Sequence, residues 1–100
     1  MKKLAFTFAF FAVAAFGAKW TGYVSDTKCG SKHNDGSQIS IDCVKHCIKG
    51  GAKPVLVIGD KVLEITNTAK VPESLYGAKV TVTGERKGDA VTIVSIVAAR

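Results

Sequence analysis

Three cysteines and both histidines of this 100-residue chain fall in one short stretch: Cys29, His33, Cys43, His46 and Cys47. Thiols and imidazoles so concentrated support three kinds of chemistry: a covalent staple, a metal centre, or thiol redox reactions. The leading expectation is a disulfide from Cys29 to Cys43 or Cys47, closing a loop of roughly 15 to 20 residues and contributing on the order of 3 kcal/mol. Pairing Cys43 with Cys47 is the poorer choice. Cβ atoms four residues apart on a helix lie about 5–6 Å apart, against the roughly 3.8 Å a disulfide prefers. One thiol is left over in any pairing.

The alternative is a Cys3His metal site, Cys29-x3-His33 with Cys43-x3-Cys47. Two thiolates one helical turn apart can both reach a tetrahedral ion, and the preceding loop supplies the other pair. His46, beside Cys43 on the helix projection, is a substitute ligand. Soft sulfur ligation suits zinc or cuprous copper rather than magnesium or calcium. Three thiolates around a divalent ion carry one net negative charge, which Lys28, Lys32, Lys45 and Lys49 can partly offset. The third possibility is redox or covalent chemistry by an unpaired thiol whose pKa these lysines lower. The chain has neither the CxxC spacing of thioredoxin-like proteins nor the CxxCH of haem attachment. No Ser-His-Asp set, phosphate loop or convincing carboxylate pair appears, so the expectation is a binding or structural module, not an enzyme.

The elements that must position these groups begin with a leader. Cationic Met1-Lys2-Lys3, an apolar run from Leu4 to Phe16 broken only by Thr7, and the small-residue exit Ala15-Phe16-Gly17-Ala18 have the layout of a secretory signal peptide. The run is shorter than the roughly 20 residues that cross a bilayer. Residues 1–17 are therefore assigned as a signal peptide cut after Gly17, with Ala15 as the other cut site. Residues 18–100 are assigned as a single domain, secreted or periplasmic, with no membrane span after cleavage. An oxidising compartment is where a small domain with cysteines forms disulfides. Two of the fourteen Lys and Arg residues and none of the eight acids lie in the leader, so the mature part keeps a charge of +4. That balance favours an anionic envelope polymer as partner; a glycan or a protein is the other expectation. Nucleic acid is not indicated, because no basic run is interleaved with aromatics.

Trp20, Gly22 and Val24 alternate with Thr21, Tyr23 and Ser25, as a half-buried strand requires, and Gly22 allows a sharp bend. Trp20 is expected in the core and Tyr23 on the outside, where it could stack on a ligand. After a polar loop, Ser40 is expected to cap a short helix over 41–49, with Ile41, Val44 and Ile48 on one face and the two cysteines along its edge. Residues 54–58 and 61–65 form a hairpin around Gly59-Asp60. Pro72 opens and Gly77 ends a short helical turn, and 79–85 pairs with 90–97 in a second hairpin. This order predicts a mainly β fold: a small five-stranded OB-like barrel with the cysteine-bearing helix inserted between strands 1 and 2. The rival is a meander of the SH3-like barrel type.

Trp20-x-Gly22-x-Val24-x-Asp26, Cys29-Gly30, His33, Cys43-x3-Cys47, Gly50-Gly51-Ala52-Lys53 and the closing run from Gly77 to Gly84 carry a resemblance. The chain resembles a group of small uncharacterised secreted bacterial proteins with OB-like barrels, across essentially its whole mature length. The resemblance implies export and the barrel; it implies no catalytic role for any residue.

Overall fold

A computed structural model describes residues 18–30, 32 and 35–99. The proposed leader over residues 1–17 and His33 lie outside the described residues. Among the described residues, five strands, β1 (Ala18–Asp26), β2 (Pro54–Ile58), β3 (Lys61–Ile65), β4 (Lys79–Lys87) and β5 (Ala90–Ala98), surround the interior, and one helix, α1 (Gln38–Lys49), lies between β1 and β2. The strands close into a barrel in the order β1-β2-β3-β5-β4. All neighbours are antiparallel except β3 and β5, which run parallel through Glu64–Ala90 and Ile65–Val91. Because β3 pairs with β5 and not with β4, the chain is not a meander, and the OB-like order expected from the element sequence is the one present. Asn67 extends the short β3–β5 seam with its side-chain amide: Nδ2 donates to the Ile93 carbonyl at 2.8 Å, and Oδ1 accepts the Ile93 N–H at 2.9 Å.

The barrel interior is filled by Val24, Leu56, Leu63, Ile65, Val71, Val80, Val82, Val91 and Ile93, each the inward member of an alternating strand or of the adjoining turn. Trp20, Leu75 and Tyr76 pack against this cluster. Leu75 ends a 3-10 turn (Glu73–Leu75) that follows Pro72, so the short helical turn expected between Pro72 and Gly77 is present and contributes to the core. β1 changes partner along its length. Its first half pairs with β4, its second half with β2, and Tyr23 is paired on both sides. At Gly22 the crossing is so close that a Cβ would collide with the Val57 carbonyl.

The helix starts earlier than its sequence suggests. Ser37, not Ser40, is its N-cap: the Ser37 hydroxyl accepts the Ser40 N–H at 3.2 Å. Ser40 instead turns inward, buried, and donates its hydroxyl to Asp35 Oδ1 at 2.7 Å, while the Ser37 N–H donates to the same oxygen at 3.0 Å. Two Ser residues could each cap this helix on local grounds; burial of Ser40 on the inner face of the first turn decides between them. Of the apolar face, Val44 is fully buried and Ile41 and Ile48 are half-buried, as expected. Ile41 rests on Gly77, whose φ of +82° and close approach to the Ile41 backbone both require glycine.

The cap network has an acid-sensitive member. Hydrogen bonds from the Ser37 N–H, then from the Ser40 and Ser37 hydroxyls, hold the Asp35 carboxyl down at about 2, from an ordinary value of 3.8. A carboxyl depressed in the folded state contributes stability that is fully present above its unfolded value and is lost as pH falls through its folded value. Helix α1 is therefore expected to loosen between about pH 4 and pH 2, read as helical circular dichroism in an acid titration. In Asp35→Asn that step should disappear; a step of unchanged size would assign the acid response elsewhere.

Candidate metal centre

The turn that follows β1 is held from several sides at once. Asp26 Oδ1 accepts the N–H of Lys28 at 2.8 Å and of Cys29 at 2.9 Å, and the Gly30 N–H donates to the Asp26 carbonyl at 2.9 Å. The buried Ser25 hydroxyl donates to the Gly30 carbonyl at 2.6 Å. The Thr27 N–H bonds the Lys53 carbonyl, and the Lys53 N–H returns to Thr27 Oγ1. Cys29 is thereby fixed at the rim of the barrel although it lies in a loop. Opposite it, α1 presents Cys43 and Cys47 one turn apart on the edge of its buried face, and the helix is anchored through Val44 and Ile41.

The three sulfurs converge. Cys29 Sγ is 3.7 Å from Cys43 Sγ and 4.0 Å from Cys47 Sγ, and all three lie within 4.8 Å of one another. A point equidistant from sulfurs so spaced is about 2.2–2.5 Å from each, against about 2.3 Å for a zinc–thiolate bond. All three side chains are half-exposed, so an ion could reach the site. The thiols are free. At 3.7 Å the nearest pair is well beyond the roughly 2.05 Å of a covalent S–S bond, so the staple expected from Cys29 is not formed in this structure.

The lysines expected to lower a thiol pKa do not lower that of Cys29 or Cys47. The Cys29 thiol is pushed up to about 12 from an ordinary value of 9.0, first by burial, then by its hydrogen bond with Cys43 and by the negative charge of Asp26. Cys47 is also raised, again chiefly by burial. Lys28, Lys32, Lys45 and Lys49 are exposed. Water screens such cations, whereas the neighbouring sulfurs and Asp26 act at short range. A raised thiol is a poor nucleophile.

His46 is not among the atoms within ligand reach of the triad, a departure from its expected role as substitute ligand. It follows Cys43 by three positions but sits on the exposed side of α1, while the thiols lie at the buried edge. It shares a hollow of about 380 Å³ with Cys47, walled by Thr27, Lys28, Gly50 and Ala52. Tyr23 likewise departs from its expected place on an open ligand face. The residue is half-buried, and the inserted segment passes over it so closely that a Cβ on Gly36 would touch its ring at 3.4 Å. Trp20 and Tyr76 are packed against the core. A larger cleft of about 570 Å³ between Thr27, Lys53, Glu64, Thr66 and Asp89 contains none of the thiols.

Comparison with protein-family models, curated proteins and solved structures returned no match. The chemistry of the site therefore rests on its own geometry. Asp26 is the participant that spacing did not single out. An acid three residues before a cysteine, at the end of an apolar alternation, was the available sign of a side chain folding back on the next turn. Among the described residues no helix is long and apolar enough to cross a membrane.

Proposed function

We propose that this chain is an exported metal-binding domain whose centre is formed by the thiolates of Cys29, Cys43 and Cys47, with His33 as the fourth ligand. The observation that carries the proposal is the mutual approach of three unbonded sulfurs to within 4.8 Å, delivered by two separate elements. The donor set is soft and anionic, which matches zinc or cuprous copper. The half-exposed position suits an ion that exchanges with the surroundings in envelope metal handling or sensing, and no enzymatic step is assigned. The leader-like residues 1–17 support export to the periplasm or the exterior, where an anionic polymer, a glycan or another protein is the expected partner.

One observation favours a second reading. Cys29 and Cys43 form the closest pair, so oxidation would join them in a disulfide and leave Cys47 free. Mass spectrometry of protein recovered from its native compartment without reductant separates the two. The metal reading expects a mass increase of one ion per chain and three thiols that alkylate fully only after chelation. A mass lower by about 2 Da with a single alkylatable thiol would instead establish the staple and refute the metal reading.

A further inference from the structure

The two carboxylate oxygens of Asp26 have unlike surroundings. Oδ1 accepts the backbone N–H groups of Lys28 and Cys29 and shapes the turn. Oδ2 is equally buried, in a residue with no exposed surface, and has no hydrogen-bond partner among the described residues. The turn does not account for the second oxygen, since asparagine would form the same turn through its own Oδ1 without a buried charge. A buried polar atom left unpaired calls for a specific explanation, and an ion or an ion-bound group is one of the few available. The carboxylate lies next to the triad, since its Oδ1 accepts the Cys29 N–H at 2.9 Å. It is not within ligand reach of all three sulfurs. It is thus beside the centre without being part of its inner set.

We infer that Asp26 Oδ2 is the hydrogen-bond acceptor for the group filling the fourth coordination position of the Cys29, Cys43 and Cys47 centre. This inference rests on the metal reading. The fourth group must carry an N–H or O–H: an imidazole bound through its other nitrogen, or a metal-bound water. In either case a carboxylate acceptor orients the ligand and increases its basicity, as outer carboxylates do around metal-bound histidines. Asp26 is then a positioning residue with two tasks on two oxygens. Oδ1 places Cys29, and Oδ2 places the fourth ligand.

The test uses the full-length protein, purified without oxygen, with cobalt(II) as the spectroscopic probe and zinc competition for affinity. Asp26→Asn keeps an acceptor for the turn and replaces Oδ2 with a donor. It is expected to fold with an unchanged apo melting temperature and to retain sulfur-to-cobalt charge-transfer absorption. Its visible ligand-field bands should shift and its zinc affinity fall about 10- to 100-fold. Should that variant not fold, Asp26→Ser, whose hydroxyl can keep the turn, is expected to show the same losses. An equal loss in His33→Ala, with nothing further lost in the double variant, identifies imidazole as the donor. Wild-type affinity in His33→Ala beside a weakened Asp26→Asn identifies water. Wild-type spectrum and affinity in the Asp26 variants overturn the inference while leaving the metal centre standing. A wild-type protein that binds neither metal with its thiols reduced overturns both.

Discussion

Replacing Cys29 with serine is expected to abolish tight metal binding and with it the metal-dependent part of the protein's thermal stability. Metal that binds only the folded chain stabilises it by about 2.7 kcal/mol at a free concentration one hundred times its dissociation constant. In a domain of this size each kcal/mol moves the melting temperature by about 4–8 °C, so the wild type should melt roughly 10–20 °C higher with zinc than with chelator. In Cys29→Ser that interval should close. Its apo melting temperature should stay within a few degrees of wild type, because the half-exposed thiol forms no covalent bond in the reduced state. Cys43→Ser and Cys47→Ser should behave alike, since the three sulfurs define one site. A Cys29→Ser protein destabilised equally with and without metal would show that the residue acts through packing or a disulfide.

The second large effect is expected at Gly22→Val. β1 hands over from β4 to β2 at Gly22 and Tyr23, and a side chain at position 22 would be driven into the Val57 carbonyl. Ordinary overpacking costs about 1–3 kcal/mol, but here the obstacle is backbone in the neighbouring strand, which cannot change rotamer. A loss of about 4 kcal/mol or more follows, a large part of the 5–15 kcal/mol a domain of this kind possesses. The melting temperature should fall by at least about 15 °C. The centre should weaken as well, because the far end of β1 carries Asp26 and the turn that holds Cys29. An unchanged melting temperature would mean that β1 can be paired without the tight crossing.

Much of this architecture is written in short-range pattern. The alternation through Val80, Val82 and their threonine neighbours, the Gly59-Asp60 turn, and the Ile41-Val44-Ile48 face each depend on neighbours a few residues away, and each is present as read. What pattern could not disclose depends on the path of the chain through space. Ser37 and Ser40 are equivalent caps until Asp35 and burial separate them. Tyr23 alternates outward as expected, yet the insert crosses over it. His46 is one residue from Cys47, but one residue on a helix is a turn of about 100°, and it faces water.

The site shows the same division. Clustering in sequence was enough to nominate Cys29, Cys43 and Cys47 as a group, whichever chemistry joins them. Spacing could not say whether the thiols pair, because oxidised and reduced forms need nearly the same approach of the chain. Nor could it show Asp26, whose part depends on having one oxygen in a turn and the other buried without a partner among the described residues.

X-ray absorption at the metal edge of the zinc- or copper(I)-loaded protein counts the atoms around the ion. One ion per chain with three sulfur neighbours at about 2.3 Å is expected. A shell of nitrogen and oxygen alone, or one with fewer than three sulfurs in fully reduced protein, would contradict it.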